Sequence, residues 1–399
     1  MIPDLRRAFN AGFTVERYAA LQGFLDGAVG FHVDFRICET PLFLSDAVTG
    51  KLVEAAHEIV AEVTSPAYLA EAHRAVPPEL AVPGEEGLPV FLQVDFALVR
   101  DPGSGEIEPR LIELQGFPSL YGFQWLLDRG YRASYPAMPA GFTPYFGGLD
   151  EVTYAAYLRE VILGDSAPEN VILLEIEPDK QKTRVDFSVT EDLTGMPIVG
   201  VDQVEVRGRK VYYRKDGRPI PVERIYNRVI FDEATRKGLD LGAIFRRALD
   251  VTWVGHPNWF LKISKFSLPF LKSRYAPPAH FVSDLHEIPE DLENYVLKPL
   301  FSFAGLGVEI QVTAERLRSL AHPEHYILQR KVDYEPLVIT PDGGAKAEVR
   351  MMFASRDGRP RLINNLVRMS KGAMMGVDFN KDKTWIGASQ AYHAPGLSY

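Results

Sequence analysis

The sequence has few of the residues that build disulfide frameworks or cysteine-rich metal centres. Its 399 residues include one cysteine, Cys38, so a single chain can form neither a disulfide nor a cysteine-based metal cluster. We interpret Cys38 as a small buried hydrophobe in preference to a reactive thiol. The nine histidines show no HExxH or similar ligand spacing. The sequence therefore gives no indication of a histidine or cysteine metal site.

Long apolar segments and an excess of basic charge are also missing. No stretch approaches the roughly 18 to 20 apolar residues of a membrane-spanning helix. The first residues, MIPDLRRAFNAGF, lack the apolar core of a signal peptide, so we expect a cytoplasmic protein without a membrane partner. The formal net charge is -9, which argues against a general affinity for nucleic acid. The net charge does not exclude binding of a small polyanion, which would require lysines and arginines grouped at one site.

Length and patterning predict an α/β (α+β) protein of two or three domains. Residues 1–88 form an N-terminal segment whose apolar spacing is helical up to about residue 75. Residues 89–150 carry a strand hairpin, and 151–260 form a small α/β domain with the strand NVILLEIEP and the strand–turn–strand unit DQVEVRGRKVYYRKDGRPI. Residues 261–399 alternate strands with glycine-bearing turns.

An acidic hairpin lies between Pro89 and Gln115. The strands PVFLQVDFALV and RLIEL flank the turn DPGSGEIEP, and they carry Asp95 and Glu113 respectively. Glu113 and Gln115 are two residues apart, so both side chains project from the same face of a strand. Because magnesium prefers oxygen ligands, Asp95, Glu113 and Gln115 are its candidate ligands. A plain surface hairpin is the alternative.

A second hairpin, NYVLKPLFSFAGLGVEI, combines a lysine with glycines. One strand delivers Lys298, the loop holds Gly305 and Gly307, and a second strand returns. Glycine permits positive φ and a close approach of backbone N–H groups to an anion, while the lysine adds positive charge for phosphate oxygens. The spacing differs from that of a Walker A loop, which needs Gly-Lys-Ser/Thr before a helix. Considered alone, the segment is more simply explained as an ordinary hairpin.

The segment HYILQRKVDYEPLV is an apolar strand with a polar end. Gln329 and Lys331 lie at that end, and Glu335 lies just beyond it. The backbone of such an extended segment can pair with an adenine edge, and a carboxylate a few residues later can hold ribose hydroxyls. An edge strand with a charged tip is the simpler alternative when the segment is considered by itself.

Together these segments resemble the ATP-grasp superfamily. KPLFSFAGLGV is similar to its lysine strand and phosphate-covering loop, ILQRKVDYE to its adenine hinge, and VDFALV…LIELQGFPS to its acidic signature. The acidic signature precedes the lysines here, whereas it follows them in ordinary members. This order resembles the circularly permuted group that includes glutathionylspermidine synthetase, which RIYNRVIFDE and LVRMSKGAMMG also resemble. Gln115 stands where the family has asparagine, which keeps the carboxamide but lengthens its reach.

The resemblance implies a circularly permuted ATP-grasp fold, with a small pre-ATP-grasp-like α/β domain, that binds ATP and Mg2+. Magnesium on the acidic hairpin would bridge the β- and γ-phosphates. The lysines would hold phosphates, the glycines would cover them, and the 329–335 segment would contact adenosine. The implied nucleotide-binding residues are Lys265, Lys298, Gly305, Gly307, Gln329, Lys331 and Glu335, with Lys272 as a second choice beside Lys265.

Three arginines are candidates for contacts with substrates. The resemblance places Arg350, in AEVRMMF, near the γ-phosphate, and Arg368, in NNLVRMS, is a second candidate for the charge of the transferred phosphoryl group. Structural ion pairs explain such arginines equally well. Arg228, in IYNRVIFDE, follows a strand of the α/β domain and could clamp a substrate carboxylate with its planar guanidinium.

The implied activity is that of an ATP-dependent carboxylate–amine or carboxylate–thiol ligase acting on small molecules. A carboxylate would attack the γ-phosphate to give an acylphosphate and ADP, and an amine or thiol would then displace phosphate. A closing glycine loop would keep water away from the acylphosphate. Two alternatives stay open: a small-molecule phosphotransferase on the same site, and a degenerate module that binds ATP without catalysis.

Overall fold

The first part of the chain is mainly helical, as its apolar spacing predicts. The computed structural model describes residues 1–301, 307–372, 375, 380 and 382–396. The first elements are α1 (Pro3–Gly12), α2 (Val15–Val29), β1 (Leu42–Phe43), α3 (Asp46–Val63) and α4 (Pro66–Ala72). Helix α3 buries Leu52, Ala55 and Ile59 at helical spacing and packs them over the hairpin that follows. Cys38 is fully buried, in agreement with its interpretation as a hydrophobe.

The acidic hairpin forms where the alternating pattern predicts it. Strand β2 (Phe91–Arg100) pairs antiparallel with β3 (Ile107–Gln115), and helix α5 (Tyr121–Ser134) follows. Strand β2 is buried from Phe91 to Val99, on both of its faces. A strand buried on both faces lies inside a sheet and under other elements. The alternative of a surface hairpin is therefore wrong.

Residues 151–260 contain two small sheets with helices around them. The elements are α6 (Glu151–Leu163), β4 (Val171–Glu175), α7 (Arg184–Thr194), β5 (Ile198–Gly200), β6 (Glu205–Arg207), β7 (Lys210–Lys215), β8 (Arg218–Val222), β9 (Arg224–Asn227), α8 (Phe231–Arg236), α9 (Gly242–Phe245) and β10 (Thr252–Val254). Strands β10, β9, β4 and β5 form a parallel sheet in that order. Strands β6, β7 and β8 form the antiparallel sheet that the strand–turn–strand pattern predicts.

The last part of the chain is rich in strands. Its elements are α10 (Asn258–Lys262), β11 (Ala279–Phe281), β12 (Tyr295–Pro299), α11 (Ala314–Arg318), β13 (Tyr326–Arg330), β14 (Val338–Thr340), β15 (Gly343–Ala354), β16 (Arg361–Ser370), β17 (Gly387–Ser389) and β18 (Ala391–Tyr392). Strands β11, β13 and β12 form an antiparallel sheet in that order. Throughout the described ranges, none of the helices has the length and apolar character needed to cross a bilayer.

The largest sheet joins the early hairpin to the late strands. Its order is β17-β16-β15-β2-β3, and β14 adds to β15. Strand β15 runs antiparallel to β2, with Arg350 opposite Asp95. Two segments that are far apart in the sequence therefore become neighbours in this central sheet.

A hydrophobic core connects the central sheet to the three-stranded sheet. Leu111 and Met351 enter it from the central sheet, and Ile327 enters it from the three-stranded sheet. Lys298 lies directly opposite Ile327, so its side chain is on the same face. Gln329 is two residues beyond Ile327 and shares that face as well. The predicted phosphate lysine therefore projects toward the sheet that carries the acidic hairpin.

Candidate active site

One face of the central sheet carries a row of polar side chains. Asp95 lies opposite Glu113 on one side and Arg350 on the other, and Gln93 lies opposite Gln115. Polar groups buried in a sheet are costly unless they are paired. The sheet-face cluster comprises Gln93, Asp95, Glu113, Gln115, Glu348, Arg350 and Arg368.

Asp95 is held by two guanidinium groups. Arg350 donates from Nε to Oδ1 at 2.6 Å and from Nη2 to Oδ2 at 2.7 Å, while Arg368 Nη2 lies 2.8 Å from Oδ2. The Asp95 side chain is 1% exposed. Burial alone would raise the pKa of this carboxyl, but the charges of Arg350 and Arg368 outweigh burial and lower it. Asp95 is therefore an ionised carboxylate whose two oxygens already accept hydrogen bonds.

Arg350 also contacts both glutamines of the cluster. Its Nη1 donates to Gln93 Oε1 at 3.1 Å. One atom of the Gln115 amide lies 2.6 Å from Gln93 Oε1 and 2.7 Å from Arg350 Nη1: as the nitrogen it donates to Gln93, and as the oxygen it accepts from Arg350. Two of the three predicted magnesium ligands, Asp95 and Gln115, thus converge on an arginine in this structure.

Sequence reasoning missed Glu348, a member of the cluster, and Tyr334, which contacts it. Glu348 pairs with Arg368 across strands β15 and β16, and Tyr334 Oη donates to Glu348 Oε2 at 2.6 Å. Burial raises the pKa of Glu348. The signal that could have found Glu348 is its position two residues before Arg350 on one strand, which puts both on one face. Gln93 likewise lies two residues before Asp95 on β2 and shares its face.

The predicted phosphate lysine of strand β12 approaches this cluster from the three-stranded sheet. Lys298 Nζ donates to the carbonyl of Ile112 at 3.1 Å. Ile112 is the extra residue of a β-bulge, because Asp95 lies opposite Glu113 while the next residue of β2 lies opposite Leu111. Burial lowers the pKa of Lys298 to about 8, against the opposing effect of Glu113.

Lys265, in a short helical turn after α10, lies near Glu113 and Lys298 as well. Burial lowers the pKa of Lys265, while the charges of Glu113 and Asp232 act in the opposite direction. Lys272, the second choice for this role, is exposed, and its backbone N–H donates to the side chain of Glu62. The structure therefore brings Lys265, and not Lys272, close to Lys298 and Glu113.

The predicted adenosine contacts are more scattered. Gln329 is buried on the inner face of β13, and its Nε2 has no hydrogen-bond partner within the described residues. Lys331 donates to the carbonyl of Glu293, and Glu335 pairs with Arg100 at 3.0 Å. Lys331 and Glu335 are thus engaged away from the cluster, whereas Gln329 offers an unused donor.

The glycines of the predicted phosphate loop are only partly described. Gly305 lies outside the described residues. Gly307 has φ of 71°, and a Cβ added to it would lie 3.1 Å from Cγ of Pro299. Position 307 therefore requires glycine for its backbone conformation and for its close approach to the lysine strand.

Arg228 lies in a second polar cluster, at the carboxyl ends of the parallel strands β4 and β9. This cluster comprises Glu175, Asp186 and Arg228, all of which are buried. Nε and Nη1 of Arg228 have no hydrogen-bond partner among the described residues. Burial raises the pKa of Glu175 to about 8, although the Arg228 charge opposes this. The arrangement leaves guanidinium donors available to an anion at the edge where α/β sheets commonly bind ligands.

The main site carries equal numbers of positive and negative side chains. Two lysines and two arginines lie among four carboxylates, Asp95, Glu113, Asp232 and Glu348, so a polyanion would bind most favourably together with a metal ion. In the part of the chain that the structure describes, no three histidine, cysteine or acidic side chains form a group able to hold a metal ion. Magnesium commonly binds through one or two carboxylates together with nucleotide phosphates, so it does not need such a group. Glu113, with 31% of its side chain exposed, is the carboxylate that fits this role.

Comparisons with known proteins support the fold. No family model and no curated protein matches the sequence. Among solved structures, the chain is similar to a glutathione synthetase-like effector from Globodera pallida in its apo form, with a TM-score of 0.57 and 11% sequence identity. The similarity covers 95% of this chain and 96% of the effector. At this identity it shows a common mixed α/β fold, and the circular permutation stays a prediction.

Proposed function

We propose that the protein is an ATP-dependent carboxylate–amine or carboxylate–thiol ligase that acts through an acylphosphate. The observation that carries this proposal is the meeting of Lys265 and Lys298 with Glu113 and Arg368 between the central and three-stranded sheets. Buried lysines beside an accessible carboxylate and an arginine suit a magnesium nucleotide better than a neutral ligand. The likeness to a glutathione synthetase-like protein supports a ligase of this kind.

The two lysines would bind the α- and β-phosphates. Magnesium would neutralise charge on the phosphates, with Glu113 as its first protein ligand and Asp95 and Gln115 as further candidates. Gln329 would donate its unused N–H to the adenine. Glu335 is the candidate for the ribose, which would require it to leave Arg100.

The two cluster arginines have different surroundings and would have different roles. Arg350 is 10% exposed and is engaged by Asp95 and Gln93, so it would orient the cluster. Arg368 is 36% exposed and would stabilise the charge of the transferred phosphoryl group. Catalysis would thus consist of positioning and charge neutralisation, without a covalent enzyme intermediate.

Arg228 would bind a carboxylate of the acid substrate. Its Nε and Nη1 donors are buried and lack hydrogen-bond partners among the described residues. These two N–H groups point to different sides of the guanidinium, so one substrate carboxylate would accept from one of them and would compensate the desolvated charge. Glu175, protonated below about pH 8, would add a hydrogen-bond donor rather than a repulsive charge.

A coupled assay of ADP formation tests the ligase proposal. The panel would contain amino acids, small peptides and polyamines, each with Mg·ATP. We expect ADP formation that depends on a carboxylate and an amine or thiol, and a loss of at least about 100-fold in K265A and K298A. K272A, which changes an exposed lysine, is the matched control and should retain activity. No carboxylate-stimulated ADP formation from any combination would refute the proposal.

A non-catalytic nucleotide-binding module is the second candidate. It is favoured by the occupation of both Asp95 oxygens by guanidinium groups and by Gln115 in place of asparagine. Such a module would show a thermal shift with Mg·ATP but no turnover with any substrate pair. The two measurements together therefore separate a binding protein from an enzyme.

A further inference from the structure

The loop between the acidic hairpin and helix α5 ends in an unusual backbone conformation. This loop, 116–120, follows directly after Gln115. Leu120 has φ of 65°, in the left-handed region that a leucine disfavours. A non-glycine residue keeps this conformation only where its surroundings hold it.

Asp186, on helix α7, holds the end of the loop. Its Oδ2 accepts the backbone N–H of Leu120 at 3.0 Å, and its Oδ1 accepts that of Phe123 at 3.0 Å. These donors belong to the start of α5, whose own N-cap residue makes no side-chain hydrogen bond. Asp186 is fully buried, so water does not compete for these bonds. It therefore caps a helix to which it does not belong.

Helices α5 and α7 meet at a glycine. A Cβ added to Gly122 would lie 2.6 Å from Oγ1 of Thr190 and 3.1 Å from the carbonyl oxygen of Asp186. A side chain at position 122 would push the two helices apart and stretch both hydrogen bonds. The close approach is what lets a short aspartate side chain reach the loop.

The loop also contacts the sheet-face cluster. The carbonyl of Ser119 accepts from Gln93 Nε2 at 2.7 Å, and Gln93 Oε1 accepts from Arg350 Nη1 at 3.1 Å. Gln93 is fully buried, so its amide depends on these protein partners. A displacement of the loop would therefore turn Gln93 away from Arg350.

The same loop touches the second polar cluster. Arg228 lies over the ring of Phe117, within the loop, at 4.7 Å, and over the ring of Phe187, next to Asp186, at 5.3 Å. The charges of Asp186 and Arg228 also attract each other. The loop thus lies between the proposed acid-binding arginine and the proposed phosphoryl-transfer site.

We propose that Asp186 is a positioning residue that fixes the 116–120 loop. The fixed loop lets Gln93 orient Arg350, and it holds Arg228 at a constant distance from the sheet-face cluster. This inference rests on the proposed ligase function. Asp186 touches neither nucleotide nor acid in this scheme. Its loss lowers kcat, because the reacting groups are misplaced. It leaves the KM for ATP nearly unchanged, because the start of the loop, next to the segment that carries Lys265, keeps its own hydrogen bond from Gly116 N–H to the carbonyl of Ile263.

Kinetics of D186N test the proposal. Asparagine keeps the shape of the side chain but has one accepting oxygen, so one of the two backbone hydrogen bonds is lost. We expect kcat to fall at least about ten-fold and the KM for ATP to stay within about two-fold of the wild-type value. D192N, on the exposed side of the same helix, is the matched control and should have wild-type kinetics. Equal kcat in D186N and D192N overturns the proposal.

A double variant shows whether Asp186 acts through Gln93. The kcat of D186N/Q93L should match that of the slower single variant, because both changes break the same chain of contacts. Fully additive losses would show a general structural effect and overturn the proposal. If D186N does not fold, D186E, which keeps both accepting oxygens but displaces them, takes its place: reduced kcat with an unchanged KM for ATP supports the proposal, and wild-type kinetics overturn it. Wild-type protein without carboxylate-stimulated ADP formation would instead reject the ligase function itself.

Discussion

The two acids of the central hairpin allow a test that separates a structural carboxylate from a metal ligand. Asp95 and Glu113 lie opposite each other on paired strands. Asp95 is 1% exposed and bound by two guanidinium groups, whereas Glu113 is 31% exposed and 3.8 Å from Arg368. We predict that D95N mainly lowers stability, whereas E113Q mainly lowers magnesium-dependent nucleotide binding.

The magnitudes follow from burial and pairing. Removing one partner of a buried ion pair costs about 3–5 kcal/mol, because it leaves a desolvated charge uncompensated. Arg368 keeps Glu348 after the change, so we expect the lower end, about 3 kcal/mol, for D95N. The longer, partly exposed pair of Glu113 should contribute less than about 1 kcal/mol. Because the entropy of unfolding grows with chain length, 1 kcal/mol shifts Tm by roughly 1–2 °C in a chain of 399 residues, so Tm should fall by roughly 3–6 °C in D95N and by less than about 2 °C in E113Q.

Thermal unfolding with and without Mg·ATP measures both effects. E113Q should have nearly the wild-type Tm but lose most of the rise that Mg·ATP produces. E106Q changes an exposed glutamate in the neighbouring turn and is the control for the loss of one acidic charge. Equal Tm in D95N and E113Q would refute the structural role of Asp95. A full Mg·ATP shift in E113Q would remove Glu113 from the metal site.

Three further predictions concern pH and backbone conformation. Burial lowers the pKa of Lys298 to about 8, so the affinity for ATP, measured by calorimetry, should weaken as pH rises through about 8 and should change less in K298R. A wild-type affinity that does not depend on pH would exclude Lys298 from phosphate binding. Because burial raises the pKa of Glu175 to about 8, its contribution to stability is fully present below its unfolded-state pKa and is lost as pH rises through about 8. In urea titrations E175Q should therefore exceed wild type above about pH 8 and match it near pH 4, whereas a constant difference would contradict the pKa shift. G307A should lower the free energy of unfolding by about 1 kcal/mol, because alanine is strained at φ of 71°. The control variant G27A, on helix α2, should not lower it, and equal stability of the two variants would contradict the strain at position 307.

The hairpin and its acids were predictable because their information is local. Alternation along β2 and β3 gives the strands, and the two-residue spacing of Glu113 and Gln115 gives a common face. The same holds for the buried apolar run of β4 and for the β6–β8 turns. Local patterns of this kind determine elements, but they do not determine which elements become neighbours.

The ion pairs of Asp95 were not predictable for that reason. They depend on β15 and β16 joining β2, a pairing between distant segments that no local pattern encodes. The sequence predicts a role at phosphate for Arg350 and Arg368, and in the structure both also compensate a buried acid. Glu348 and Tyr334 were missed because their importance appears only once Arg368 is placed beside them.

The pairing of β2 with β15 also has a consequence for assembly of the protein. A ribosome synthesises β2 and β3 well before β15 and β16. The new hairpin therefore has an unpaired edge along β2, and Asp95 has neither Arg350 nor Arg368 to pair with. Joining it to β15 closes a loop of more than two hundred residues, a slow step for strands so far apart. Until then the open edge can pair with another chain. Nascent protein should therefore be prone to aggregation until the last third of the chain has been made.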